Sequence, residues 1–78
     1  MTTQTALANT SNKTVTFGGT TYNIQELGDD NYTVLIAGVP VGRIVYCFGA
    51  ANGVPDGGTV SEDDLTAVAE AWFAALES

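Results

Sequence analysis

The stretch KTVTFGGTTYNIQEL, residues 13–27, decides the fold class. Gly18-Gly19 suits a two-residue turn that needs positive φ at both central positions. Folding the chain about that turn sets Phe17 opposite Thr20 and Val15 opposite Tyr22. Val15, Phe17, Tyr22 and Ile24 then share one face, and Thr14, Thr16, Thr21 and Asn23 share the other. One dry face and one wet face is the pattern of an antiparallel sheet covered on one side.

Working outward, Gly28-Asp29-Asp30-Asn31 is the next turn. YTVLIAGVPVGRIVYCF follows, with Ala37-Gly38 as a second two-residue turn that pairs Ile36 with Val39 and Val34 with Val41. Pro40 cannot donate a ladder hydrogen bond, which places its nitrogen at an edge or a bulge. Ile44 to Phe48 is apolar on both faces and reads as the central strand. Residues 1–12, MTTQTALANTSN, read as a loose N-terminal arm or a short edge strand through Thr5 to Ala8.

The last segment, SEDDLTAVAEAWFAALES, reads as a helix. Ser61 is the N-cap and Asp64 stands three residues on, close to a capping box. Leu65, Val68, Ala69, Trp72, Phe73 and Leu76 recur at helical spacing, so one stripe faces a core. Trp72 is expected at the centre of that stripe and Phe73 at its flank, because adjacent helical residues diverge by about 100°. The predicted architecture is one α+β domain over residues 1–78, with an antiparallel sheet of about four strands, in two hairpins, against one C-terminal helix. Residues 49–60 are left as a Gly-rich loop whose tip, Asn52 to Asp56, could reach a partner with Val54 as a modest apolar anchor.

The composition is globular, with 45% hydrophobic residues. A single cysteine cannot form an internal disulfide, which fits a reducing compartment and a cytoplasmic location in a host cell. No apolar run reaches the length of a membrane span. The net charge is −7, from nine acids and two bases, Lys13 and Arg43. An average chain carries about 25% charged residues, so the acids are ordinary and the bases are few. That argues against direct nucleic-acid binding, where phosphates require Lys and Arg, and against anionic membranes. A basic protein partner remains open.

The motifs exclude most chemistry. Gly49, Gly53, Gly57 and Gly58 precede a helix, but the Lys-Ser/Thr of a phosphate loop is missing, and Asp56, Glu62, Asp63 and Asp64 would repel a phosphate. Cys47 has no histidine anywhere to activate it and lies between Tyr46 and Phe48, which reads as a buried, inert thiol. The oxygen-rich stretches do not match calcium-loop spacing, and nothing supports zinc, so no metal and no cofactor is expected. The acids at the helix start complement its dipole and lack the desolvating pocket of a catalytic carboxylate. The chain is therefore expected not to be an enzyme. Asp29, Asp30, Asp56, Glu62, Asp63 and Asp64 form a candidate acidic patch for a partner, provided they converge in space.

Met1-Thr2-Thr3 with its Thr/Asn-rich arm, and Phe17-Gly18-Gly19 opening a strand, resemble the small acidic anti-CRISPR proteins of phages and mobile elements. The resemblance covers under a quarter of the chain and carries over no functional residue. It implies a non-enzymatic inhibitor whose partner is a basic nucleic-acid-binding surface of a CRISPR effector. Blocked access to target DNA would be the outcome, with carboxylates standing where phosphates would. The alternative reading is a small structural or accessory interaction domain, a monomer or a weak homodimer. Self-association would use sheet edges or the small residues Ala67, Ala71 and Ala74.

Overall fold

The computed structural model describes residues 6–77. It contains β1 (Leu7–Asn9), β2 (Thr14–Phe17), β3 (Thr20–Gly28), β4 (Asn31–Ile36), β5 (Val39–Cys47), β6 (Ala50–Pro55) and α1 (Glu62–Glu77). The strands form one antiparallel sheet in chain order, β1-β2-β3-β4-β5-β6. The α+β class stands, but the sheet has six strands where about four were expected. Of the two extra strands, β1 (Leu7–Asn9) falls where a short edge strand through Thr5 to Ala8 is the alternative to a loose arm, and only β6 comes from a segment read as irregular. β1 lies in the N-terminal arm, and β6 occupies half of the stretch read as a Gly-rich loop. Met1 to Thr5, which carry part of the anti-CRISPR resemblance, lie outside the described residues.

The Gly18-Gly19 turn joins β2 and β3 in the expected register, Phe17 on Thr20 and Val15 on Tyr22. Four hairpins close on two residues that both have positive φ: Gly18-Gly19, Asp29-Asp30, Ala37-Gly38 and Phe48-Gly49. This is the turn geometry whose twist matches that of the strands it joins. Asp and Ala accept it at modest cost; Phe48, at φ 51°, is a bulky side chain in a conformation that costs about 1–2 kcal/mol.

The second hairpin differs in one detail. Ile36 pairs with Val39, but Val34 pairs with Gly42 and not with Val41. Pro40 faces Leu35, and Val41 is the extra residue of a bulge. The bulge lets Val41 and Gly42 both turn inward. β5 also proves to be the strand next to the edge and not the central one. Cys47 at its end is exposed, contrary to the buried-thiol expectation, because β5 runs there into the Phe48-Gly49 turn and has left the core.

The helix begins as the sequence implies. Asp64 N–H donates to Ser61 Oγ at 3.2 Å, and Leu65 N–H to the Ser61 carbonyl at 3.0 Å. Val60 and Leu65 are both buried on either side of that cap, as in a hydrophobic staple. Leu65, Val68, Ala69, Trp72 and Phe73 face the sheet. Phe73 is not at the flank: it is 6% exposed against 4% for Trp72. Tyr32 from β4 and Tyr46 from β5 close over it, with ring centroids 5.4 and 5.0 Å away. Such pairs contribute about 0.5–1.5 kcal/mol each beyond area burial. Leu76, assigned to the stripe, is 46% exposed where the helix runs past the sheet.

α1 approaches β6 and β5 on one side and β1 and β2 on the other. Six strands laid flat would span about 24 Å, more than twice a helix diameter. A helix that touches both edges therefore lies in a curled sheet, and the bulges in β3 and β5 permit the curl. Side-chain size follows this shape. Tyr22, Ile24, Tyr32 and Val34 belong to the buried core, Ala8 and Ala51 pack against it, Gly42 stands under the Leu65 side chain, and Gly53 stands where the helix backbone comes near.

Candidate interaction surface

Each hairpin reverses the chain, so alternate turns lie at opposite ends of the sheet. Asp29-Asp30 and Phe48-Gly49 share one end. Gly18-Gly19 and Ala37-Gly38 share the other. β6 then carries the chain back, so α1 starts at the end opposite Asp29-Asp30. Had Ile44 to Phe48 been the last strand, α1 could have started beside that turn. The added strand divides the candidate patch.

Asp56, Glu62, Asp63 and Asp64 gather where β6 ends and α1 begins. Asp56 is fixed by its N–H, which donates to the Val41 carbonyl at 3.0 Å. Glu62 and Asp63 are exposed, and Asp64 is half-buried. Burial of the Tyr22 phenol, reinforced by the negative charge of Asp64, raises the Tyr22 pKa above its usual value. Asp29 and Asp30 lie at the far end. With 16 residues, α1 separates the two groups by about 24 Å along its axis.

The Asp29-Asp30 turn is built firmly. The Asn31 side-chain amide donates to the carbonyls of Gly28 and Asp29 at 3.2 and 2.9 Å. Tyr46 N–H donates to the Asp30 carbonyl at 3.1 Å and ties the turn to β5. This brings Asp30 to the C-terminal end of α1, where Asp30, Tyr46, Phe73, Leu76 and Glu77 line one hollow of about 210 Å³. A second hollow, about 420 Å³, opens on the other side of the same aromatic pair, between Glu70, Ala74 and Glu77 of α1 and Gly49 to Ala51. Phe48, fully exposed, stands on the adjoining hairpin tip.

Sequence reasoning missed Phe48, Tyr46, Phe73, Glu70 and Glu77 as members of one surface. The available signal was Phe48-Gly49, which stands eleven residues after Ala37-Gly38 and in the same position relative to its strand. The Asn52–Asp56 segment, expected to reach outward, is instead held in the sheet. Val54 is exposed on the outer face, while Gly53 is buried under Leu65.

Charge is segregated between the two faces. Five of the nine acids, Glu62, Asp63, Asp64, Glu70 and Glu77, lie on α1. By strand alternation the outward positions of the sheet are Thr, Asn, Gln and aliphatic residues, with Arg43 their only charge. Among the described residues no group of three or more His, Cys, Asp or Glu could hold a metal ion, and no helix is long and apolar enough to cross a membrane. No protein-family model, no curated protein and no solved structure matches the chain.

Proposed function

We propose that this protein is a non-enzymatic interaction module that docks on a basic surface of another protein through its helix side. The observation that carries the reading is the segregation of charge. Eight of the nine acids lie on α1 or in the segments at its two ends, the ninth, Glu26, is on β3 opposite the inward-facing Tyr32, and the outer sheet face has none. With nine acids and two bases, most carboxylates have no possible partner within the chain. Their potential acts outward and steers a cationic partner toward the helix side. In its narrower form the partner is the nucleic-acid-binding surface of a CRISPR effector, which the protein would close to target DNA; that form rests on the resemblance of the N-terminal arm and Phe17-Gly18-Gly19.

The divided patch changes how the reading is tested. Glu77 stands beside Asp30, so it cannot serve as a remote control for charge reversal. Asp63→Lys probes one end, Glu77→Lys the other, and Gln25→Glu on the outer face is the control for net charge. Proteins retained on the immobilised chain at low salt are eluted by a salt step and identified, and association rates are measured for the one recovered. Helix-side docking predicts a basic partner and slower association for at least one of the two reversals, with a difference that shrinks at 1 M salt. Equal rates for all three variants, or a partner that is not basic, would refute the proposal. Loss of cleavage by a CRISPR effector on addition of the protein tests the narrower form.

The outer face favours a second reading. Its surface, with Arg43 as its only charge and Leu35, Val45 and Val54 among its aliphatic residues, suits self-association in an accessory domain. Mass measured against concentration tests it.

A further inference from the structure

Phe48 combines two unfavourable features. It is a fully exposed aromatic ring, and its backbone has φ 51° in a turn where Asn or Gly would be relaxed. Nothing in the fold uses its side chain. Around it the surface is both apolar and negative. Tyr46 and Phe73 floor the two hollows, Leu76 is half-exposed beside them, and Asp30, Glu70 and Glu77 stand at their rims. The last turn of α1 contains no basic residue, so the negative end of the helix dipole adds to those carboxylates. Of the chain's two cations, Lys13 precedes β2 at this same end but three strands away from β5, and Arg43 is on the outer face.

We propose that this end of the molecule, formed by the Phe48-Gly49 tip, the Asp29-Asp30 turn and the C-terminal half of α1, docks a cationic segment of a partner protein. An arginine of that segment lies over the part-exposed Tyr46 with its guanidinium beside Glu77, which lines both hollows, flanked by Asp30 on one side and Glu70 on the other, and Phe48 enters an apolar cleft or lies against an aliphatic side chain beside it. Arginine suits the site better than lysine, because its planar group stacks on an aromatic ring while its edge bonds carboxylates. Charge complementarity selects the occupant: an acidic partner would be repelled, and a purely apolar one would leave three carboxylates desolvated without partners. This inference rests on the proposed docking to a basic protein and names its site and its anchor.

The test uses the whole chain, labelled for NMR, and two peptides, Ac-RLRLRL-NH2 and Ac-RSRSRS-NH2. The first is expected to perturb Tyr46, Gly49, Phe73 and Glu77 and to bind at least about fivefold more tightly than the second, roughly 1 kcal/mol at tenfold per 1.4 kcal/mol. Phe48→Asn should erase that preference while raising the melting temperature, since Asn tolerates the turn. Glu70→Gln with Glu77→Gln should weaken both peptides. Perturbations confined to Asp56 and Glu62 to Asp64 would overturn the end-on site and leave docking to basic proteins standing. Failure of both peptides to bind at low salt would refute that broader reading as well. Retention of the leucine preference by Phe48→Asn would remove Phe48 as the anchor. Binding to uncharged lipid vesicles that Phe48→Asn abolishes would overturn the commitment to a protein partner.

Discussion

Gly53→Ala places one methyl group where α1 crosses β6. Gly53 has no positive φ, so backbone preference alone favours alanine by about 0.4–1 kcal/mol. Sterics oppose it. An ideal Cβ at Gly53 would lie 2.5 Å from Leu65 Cβ and 2.6 Å from both Leu65 C and Thr66 N, where ordinary contact begins near 3.4 Å. Relief requires the helix to retreat by roughly 0.9 Å, the difference between 3.4 and 2.5 Å. The struck atoms are backbone and Cβ, so no change of rotamer can absorb the strain. A rigid retreat of that size also loosens Val68, Trp72 and Phe73. Overpacking costs about 1–3 kcal/mol, and this geometry belongs at the upper end. Subtracting the backbone gain leaves a net loss of about 2–2.5 kcal/mol. At 0.05–0.15 kcal/mol per residue the whole domain holds about 4–12 kcal/mol, so the loss is a large share. The melting temperature should fall by about 8–20 °C, at 4–8 °C per kcal/mol. Urea unfolding should show a lower midpoint with an unchanged slope. An unchanged or higher melting temperature would refute the close crossing of α1 over β6. A double-mutant cycle adds a sharper check. The Cβ of Gly42→Ala would strike Leu65 Cδ1 and the Val54 carbonyl oxygen, so Leu65→Ala should relieve part of its cost; at Gly53 the clash is with atoms that Leu65→Ala retains, and coupling should be weaker.

Further expectations concern the helix start, the buried phenol and the thiol. Leu65→Asp should lower stability by several kcal/mol, because it buries an unpaired carboxylate at a site with no exposure, while Thr66→Asp, only part-buried, should lower it less; equal melting temperatures would contradict the stripe. Tyr22 has a raised pKa, from burial first and Asp64 second, so the native state holds the phenolic proton more tightly than the unfolded chain. Its contribution is complete below about pH 10 and declines as pH rises through 10 toward the folded-state value. Tyr22→Phe should flatten that alkaline decline, and stability profiles from pH 8 to 11 would show whether it does. Cys47 should react readily with iodoacetamide in the native protein, and Cys47→Ala should change the melting temperature by no more than about 0.5 kcal/mol equivalent; slow alkylation would argue for a buried thiol.

The parts of the fold that were legible from sequence are those where local chemistry and burial agree. Gly18-Gly19 satisfies its turn, and the alternation from Val15 to Ile24 satisfies the sheet, so register followed from residues alone. Ser61 and the spacing from Leu65 to Trp72 did the same for α1. β6 was illegible because Ala-Ala-Asn-Gly-Val-Pro has little strand propensity; its pairing with β5 and its small residues under the helix make it a strand. Phe73 was assigned to the flank because helix angle alone cannot show that Tyr32 and Tyr46 come from the sheet to enclose it. The acids were legible one by one, but their convergence depended on counting reversals of the chain, and a single missed strand moved the helix start to the other end of the molecule.

The strand order also bears on how the chain reaches this state. Every sheet partner is the next strand along the chain, so each ladder closes only a short loop and the entropy of closure is small at every step. Such a meander can zip one hairpin at a time from either side. The exception is α1, which must find β1 and β2 after most of the chain has intervened. That long-range docking raises the contact order, and it points to a simple division of the transition state: ordered hairpins first, with the helix docking on β1 and β2 near the end. Substitutions at the α1–β1 contact should therefore speed unfolding and leave the folding rate nearly unchanged.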